Sequence, residues 1–202
     1  IRGVNHDAHD YIEDMVTRGV KAFITEQEVA LPEGCGVVVV KDSLAALQAM
    51  AAYRRQQFRG EVVAITGSNG KTMVKEWIAA SVPSSAKLYR SPRSYNSQLG
   101  VALSLLRMAD DAQIAVIEAG ISEPGQMQTL ERMIAPQTVI FTSIGDAHQA
   151  NFDSIEHKIN EKLILADSAE KIVYNSDCQP LADIIEEKFA DRTLLDARNS
   201  RV

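Results

Sequence analysis

Residues 67–72 read GSNGKT and are the stretch of this sequence with the clearest chemical purpose. They follow the apolar run VVAIT and precede a segment with helical spacing. Successive backbone N–H groups and a helix N-terminus attract anions, a lysine reaches terminal phosphates, and a threonine hydroxyl can ligate Mg²⁺. The stretch therefore predicts a site for the phosphate chain of a nucleotide. Its members are Gly67, Ser68, Asn69, Gly70, Lys71 and Thr72.

The spacing of this loop departs from the commonest phosphate-binding pattern, G-x-x-x-x-G-K-[ST]. Ile65 stands where the first glycine of that pattern would be, and the loop uses Gly67 instead. We therefore interpret the loop as a compact variant of the pattern. The alternative interpretation is an ordinary strand-to-helix turn, in which Lys71 and Thr72 simply open the helix.

Strand-like and helix-like segments alternate after residue 60. The β-rich runs read VVAIT, IAVIEAG, TVIFTSI and KIVYNS, and helical patterns begin near Lys71, Ser97, Gly125, Ser154 and Pro180. This alternation predicts an α/β fold with a P-loop-type parallel sheet and helices on both faces. Ligands bind beyond the carboxyl ends of the strands in such sheets. Glu118 and His148 fall at such ends.

The carboxylate of Glu118 ends the second of these runs. Carboxylate oxygen is a hard ligand suited to Mg²⁺, so we predict that Glu118 holds this ion together with Thr72. The alternatives for Glu118 are a solvated strand end and a partner of a nearby lysine.

The first part of the chain has a different organisation. The segments GVKAFIT and GVVVVKD precede a helical pattern, LAALQAMAAYRRQQF, for which Ser43 is the predicted N-cap. We predict two domains, a small α/β unit at residues 1–59 and the larger sheet at residues 60–202. Because the chain does not begin with methionine, we expect it to be an excised piece with a truncated second domain.

Composition excludes several classes of function. The net charge is −6, and no basic run interleaves with aromatic residues, which argues against nucleic-acid binding. No apolar stretch approaches the roughly 20 residues of a membrane span, and no secretory signal opens the chain. We therefore expect a cytoplasmic protein without a membrane partner. Cys35 and Cys178 lack metal-site spacing and are expected to be ordinary thiols.

Several stretches together resemble the Mur ligase family. They are ITGSNGKT, SYNSQLGVALSLL, VIEAGISEPGQM and FTSIGDAHQANF followed by KINEKLIL. The resemblance covers nearly the whole chain and implies an ATP-dependent amide-bond ligase of peptidoglycan synthesis, which works through an acyl phosphate. It is strongest to members that add D-Ala-D-Ala to UDP-N-acetylmuramoyl (UDP-MurNAc) tripeptide, including forms fused to an alanine racemase.

The resemblance also implies a domain plan. Residues 1–59 correspond to the end of the UDP-substrate domain, and residues 60–202 to the central ATP-binding domain. The third domain of the family, which brings in the amine, has no counterpart here. We therefore expect the isolated fragment to be inactive, and we expect a monomer.

Roles for individual residues follow from the same resemblance. Lys71 corresponds to a catalytic lysine, His148 to a histidine that helps to hold a second Mg²⁺, and Lys162 to a lysine that reacts with CO₂ to form a carbamate. A carbamate presents two anionic oxygens, the type of ligand that Mg²⁺ prefers. Lys158, one helical turn before Lys162, is the competing candidate, and both lysines could instead be solvated helix residues.

The stretch SPRSYNSQLG implies contacts with the muramoyl peptide. Asn96, Ser97 and Gln98 fall on the substrate-binding positions of the family. The commoner family pattern has asparagine at the positions of Ser94 and Ser97 and glutamate at that of Gln98, so this sequence departs from it.

Three other functions are compatible with parts of the sequence. A folylpolyglutamate synthase or cyanophycin-type ligase shares the loop and the carbamate lysine. A P-loop NTPase that acts as a switch or motor would use the loop for hydrolysis. A nucleotide-binding or substrate-binding module would bind without forming a product.

Overall fold

The structure is a computed structural model that describes residues 1, 3, 6–145 and 149–197. The chain divides into two compact units, Ile1–Ala49 and Met50–Val202. The domain boundary that we predicted at residues 59 and 60 lies inside the second unit and stays a prediction. None of the helices in the described part of the chain is both long and apolar enough to cross a membrane.

The first unit contains two short parallel strands and their flanking helices. A 3-10 turn, Ala8–Tyr11, leads into α1, Ile12–Thr17, and the strands are β1, Ala22–Thr25, and β2, Gly36–Val39. The long helix α2, Ser43–Gln57, begins in this unit.

The N-cap of α2 differs from our prediction. The side chain of Asp42 accepts the N–H of Ala45 at 2.9 Å, which is the capping bond. Ser43 is instead the first residue of the helix, and its hydroxyl donates to Glu26 Oε1 at 2.6 Å.

The second unit is built on a six-stranded sheet in which all neighbouring strands are parallel. Its strands are β3, Glu61–Thr66; β4, Leu88–Arg90; β5, Ile114–Glu118; β6, Thr138–Phe141; β7, Lys171–Tyr174; and β8, Thr193–Asp196. Their spatial order is β4-β5-β3-β6-β7-β8. The sequence predicted four of these strands and missed β4 and β8.

Helices flank this sheet and begin where the sequence indicates. They are α3, Lys71–Ser81; α4, Gln98–Leu106; α5, Gln126–Ile134; α6, Ile155–Leu163; and α7, Leu181–Lys188. Ser97 and Ser154 cap α4 and α6 through their side chains. The α/β architecture predicted from the alternating pattern is confirmed.

The neighbouring strands β3 and β5 contribute fully buried side chains to the core. The side chains of Val62, Ala64 and Ile65 in β3 and of residues 115–117 in β5 are fully buried. Continuous burial of consecutive residues is expected for parallel strands covered on both faces. Because β3 and β5 are parallel neighbours, their carboxyl ends lie side by side. The chain leaves β3 toward β4 on one side of the sheet and leaves β5 toward β6 on the other side, and ligands bind at such a switch point.

Candidate functional site

The loop between β3 and α3 requires glycine at two positions. Gly67 has a φ of +142° and Gly70 has a φ of +81°, conformations that other residues rarely adopt. A Cβ atom at Gly67 would lie 1.9 Å from Thr142 Oγ1. The loop backbone therefore approaches the segment after β6 so closely that no side chain fits between them.

The segment that follows β6 holds the loop in place. The N–H of Ser68 donates to the carbonyl of Ser143 at 2.7 Å, and its hydroxyl donates to the carbonyl of Gly145 at 3.2 Å. The hydroxyl of Thr142 donates to the carbonyl of Asn69 at 2.7 Å. These contacts set the shape of the loop.

The helix α3 begins directly after this loop. Gly70 is its N-cap, and none of the described side chains caps its first N–H groups. Lys71 follows directly, and its Nζ donates to the carbonyls of Gly67 at 2.9 Å and Ser68 at 3.0 Å. Burial lowers the pKa of Lys71, and the negative charge of Glu118 opposes this shift.

Glu118 and Thr72 meet at the end of β5. The carboxylate is 1% exposed, and its Oε2 accepts the Thr72 hydroxyl at 2.9 Å. Its Oε1 accepts the side-chain amide of Asn96 at 2.7 Å. Ser94 Oγ lies 3.3 Å from Thr72 Oγ1. Oxygen atoms from three segments, α3, the end of β5 and the turn after β4, therefore lie close together here.

Lys75 also contacts Glu118, as in the alternative that gave this carboxylate a nearby lysine as partner, although our sequence reasoning did not identify Lys75. Its side chain is fully buried, its Nζ lies 3.5 Å from Glu118 Oε2, and it donates to the carbonyl of Arg93. The available signal was its spacing, because Lys75 lies one helical turn after Lys71 and therefore on the same face of α3. The alternative in which Glu118 is a solvated strand end is wrong.

Lys162 points from α6 to the same loop. Its side chain is 3% exposed, and its Nζ donates to the carbonyl of Gly67 at 3.4 Å. The pKa of Lys162 is lowered to about 8, mainly by burial and then by the positive charges of Lys71 and Lys158, with Glu161 opposing.

Lys158 is buried as well, and its Nζ donates to the carbonyl of Gly145. The alternative in which Lys158 and Lys162 are solvated helix residues is therefore wrong. Glu161, between them in α6, uses its Oε1 to accept the N–H of Gly125 at 2.8 Å at the start of α5.

The three residues predicted to bind substrate lie beside these groups. Asn96 bonds to Glu118, and its carbonyl accepts the N–H of Gly120 at 2.9 Å. The hydroxyl of Ser97 accepts the N–H of Gly100 at 3.2 Å as the N-cap of α4. Gln98 borders a cavity of about 350 Å³. Substrate binding by these residues stays a prediction.

A cavity of about 350 Å³ joins the loop to these residues. It is lined by Gly67, Ser68, Lys71, Asn96, Ser97, Gln98, Leu99, Gly120, Ile121, Ser122, Gln126 and Lys162. A second cavity, of about 280 Å³, is lined by residues 68–73 together with Ser94, Asn96 and Glu118. Ser68, Lys71 and Asn96 border both, so the cavities are adjacent.

The predicted metal ligands are only partly described. His148 lies outside the described residues. Within the described residues, no group of three or more His, Cys, Asp and Glu side chains could hold a metal ion. Thr72 and Glu118 are the predicted ligands that the structure brings into contact, and Cys35 and Cys178 are free thiols.

Comparison with known proteins agrees with this geometry. A family model described as the Mur ligase middle domain matches residues 65–197. Two curated relatives are each named UDP-N-acetylmuramoyl-tripeptide--D-alanyl-D-alanine ligase. The one from Rickettsia prowazekii is 34% identical over 75% of this chain and 34% of its own length. The one from Bacillus subtilis is 32% identical over 81% of this chain and 36% of its own length.

Solved structures similar to this chain are likewise Mur ligases. MurF from Acinetobacter baumannii matches 97% of this chain and 44% of its own with a TM-score of 0.89 and 26% identity. The MurF ligase from Thermotoga maritima in complex with ADP matches 97% of this chain and 45% of its own with a TM-score of 0.82 and 25% identity. The chain spans about a third of the length of the curated relatives it matches. Because the family model matches residues 65–197, this chain belongs to the Mur ligase middle domain family.

Proposed function

We propose that this chain is the ATP-binding part of a ligase of peptidoglycan precursor synthesis, which adds D-Ala-D-Ala to UDP-MurNAc-tripeptide. The observation that carries this proposal is the shared cavity, which is bordered by the phosphate loop on one side and by Lys162 and residues 96–98 on the other. A reaction between a nucleotide and a second anionic substrate needs such a common space. The names of the curated relatives support the choice of substrates.

The loop fits the phosphates of ATP. The N-terminus of α3 carries no side-chain cap among the described residues, and N–H groups at a helix N-terminus attract anions. Gly67 approaches Thr142 so closely that no side chain fits at this position of the loop. Lys71 supplies a positive charge beside it, where it can stabilise charge on the transferred phosphoryl group.

Thr72 and Glu118 fit Mg²⁺ by the chemistry of their oxygens. The hydroxyl and the carboxylate are already in contact at 2.9 Å, and hard oxygen ligands suit this ion. When bound, Mg²⁺ would neutralise charge on the phosphate oxygens. Asn96 orients the carboxylate of Glu118 through its other oxygen.

Lys162 is the residue that we propose as the carbamate, and His148 as a ligand of a second Mg²⁺. Support for Lys162 comes from its buried position at Gly67 and from its lowered pKa, because only a neutral amine reacts with CO₂. Lys158 is the weaker candidate, since Lys162 lines the 350 Å³ cavity and Lys158 does not.

In the proposed reaction, a carboxylate oxygen of the tripeptide attacks the γ-phosphorus of ATP, and ADP leaves. The amine of D-Ala-D-Ala then attacks the acyl carbon, the amide forms, and phosphate leaves with the former carboxylate oxygen. We propose that Asn96, Ser97 and Gln98 orient the muramoyl peptide, and their position in the lining of the cavity shared with the loop supports this role. Positioning of two reactants contributes a large share of such catalysis.

Location and assembly belong to the same proposal. We expect the whole protein to act in the cytoplasm as a monomer on small-molecule substrates, without nucleic-acid or membrane partners. The isolated chain is expected to bind nucleotide without forming the amide.

Phosphate release by the full natural protein that contains this sequence tests the proposal. ATP is supplied with a panel of UDP-muramoyl peptides and amine acceptors, with Lys71→Ala as the inactive variant and Lys87→Ala, on an exposed ion pair, as the control. We expect release only when UDP-MurNAc-tripeptide and D-Ala-D-Ala are both present. Release without either substrate would identify an NTPase, and release with folate and glutamate would identify the sibling ligase.

A further inference from the structure

The side chain of Lys75 has no role in the proposed chemistry, yet it is fully buried. Lysine is almost never fully buried unless it is paired. Its Nζ lies 3.5 Å from Glu118 Oε2 and 3.6 Å from Glu76 Oε1, and it donates to the carbonyl of Arg93. One ammonium group therefore joins the carboxylate at the end of β5 to the turn at residues 91–96.

That turn surrounds Glu118 with polar contacts. Ser91 Oγ accepts the N–H of Glu118 at 3.2 Å, and the Asn96 side chain donates to its carboxylate at 2.7 Å. Arg93, in the middle of the turn, has a φ of +48°. A left-handed conformation is unfavourable for a residue other than glycine, so it persists only where contacts impose it. The bond from Lys75 to the carbonyl of Arg93 is such a contact.

We propose that Lys75 is a positioning residue that ties the turn at residues 91–96 to Glu118. This contact also holds Asn96, which lines both of the adjacent cavities. The consequence for catalysis rests on the proposed function, whereas the effect on the turn does not.

The phosphate loop does not depend on this contact. Its shape is set by Ser143, Thr142 and Gly145, which lie after β6. Loss of Lys75 should therefore loosen the side of the cavity formed by residues 96–98 and leave the affinity for nucleotide without Mg²⁺ nearly unchanged, although Glu118, the predicted Mg²⁺ ligand, loses a charge partner. A general loss of packing would instead affect both sides.

Hydrogen exchange of this chain measures the turn directly. The N–H groups of Tyr95 and Asn96 are bonded within the turn, to the carbonyls of Pro92 and Ser94. We expect both to exchange at least about tenfold faster in Lys75→Met, as the loss of one charged hydrogen bond allows. Lys75→Gln keeps an amide donor and should show a smaller effect. Lys87→Met, which removes an exposed ion pair, should show none.

Unchanged exchange at Tyr95 and Asn96 in a folded Lys75→Met chain would overturn the proposal. If Lys75→Met does not fold, Lys75→Gln is subject to the same criterion. The unmodified chain provides a test without any variant, since unprotected exchange of both amides would show that the turn is not held.

Kinetics of the full natural protein separate positioning from a general structural role. Lys75→Met should raise the KM for UDP-MurNAc-tripeptide about tenfold and the KM for ATP by a clearly smaller factor, because Lys75 bonds directly to the turn and reaches the nucleotide side through Glu118. An equal rise in both constants would contradict the assignment. Absence of ligation by the unmodified protein would reject the proposed function, and the exchange measurement would still decide the role of Lys75.

Discussion

The hydroxyl of Thr72 donates to Glu118 Oε2 at 2.9 Å, although 46 residues separate them in the chain. Thr72 lies in the first turn of α3, which follows β3, and Glu118 is the last residue of β5. Because β3 and β5 are parallel neighbours, both residues emerge at the same edge of the sheet. This topology assembles the oxygen donors of the proposed metal site.

Glu118→Gln should destabilise the chain. The change removes the buried anion next to Lys75 and leaves the ammonium with the half-exposed Glu76, 3.6 Å away, as its charge partner, which costs up to about 3 kcal/mol. The double variant with Lys75→Met should lose less than the sum of the single losses, because the two residues interact. Urea unfolding of the unmodified chain, the two single variants and the double variant measures this coupling. Losses of unfolding free energy that simply add would exclude it. Asp111→Asn, at an exposed ion pair with Lys87, is the control and should change little.

Gly67→Ala should abolish nucleotide binding. The added Cβ would meet Thr142 Oγ1 at 1.9 Å, and a φ of +142° is unfavourable for alanine, so the loop must move. Calorimetric titration with ADP measures the loss, while circular dichroism checks that the sheet remains. Gly34→Ala, also at positive φ but with open space around its Cβ, controls for backbone strain alone. Retained affinity in Gly67→Ala would show that the loop is not the binding site.

The fold after residue 60 was largely predictable, because long amphipathic and apolar segments carry a clear period. The helices begin within one residue of the predicted positions, as α4 does beside its cap Ser97. The strands β4 and β8 were missed, since segments of three and four residues are too short to show a period. Their pairing with neighbours, rather than their own sequence, makes them strands.

Lys162→Met should stabilise the metal-free chain at neutral pH. The pKa of Lys162 is lowered to about 8 in the folded state, below its ordinary value of 10.5. Below pH 8 the folded chain carries a buried charge, so the gain is largest there, on the order of 3 kcal/mol. The gain should shrink as the pH rises from 8 to 10.5, because in this range Lys162 is neutral in the folded chain and still protonated in the unfolded chain.

Thermal unfolding in a chelator, across this pH range, measures the gain. The exposed Lys171→Met is the control and should show a small effect without this pH dependence. A gain for Lys162→Met that does not change between pH 7 and pH 10 would contradict the proposed charge burial.

Chemical rescue tests the carbamate itself. In the full natural protein, Lys162→Ala should lose most activity and regain part of it with added short-chain carboxylates, whose two oxygens can replace those of a carbamate. Lys158→Ala should not be rescued. Full activity of Lys162→Ala without any carboxylate would assign the role to another residue.

The candidate site was predictable only where a motif carries it. The loop and Glu118 follow from spacing and from the ends of strands. The burial of Lys75 does not, because a lysine in a helix looks solvated until the partner that neutralises it is known, and Glu118 comes from another strand. The contact of Ser94 with Thr72 likewise depends on the turn after β4, a strand that the sequence did not reveal.

Transfer of oxygen from substrate to phosphate tests the central claim most directly. The full natural protein is given ATP, D-Ala-D-Ala and UDP-MurNAc-tripeptide with ¹⁸O at both oxygens of the reacting carboxylate, and the released phosphate is analysed by mass spectrometry. Amide formation through an acyl phosphate predicts one ¹⁸O atom in each phosphate, together with an equal amount of pentapeptide product. Phosphate without the label would mean that water is the acceptor of the phosphoryl group, and it would contradict the ligase assignment.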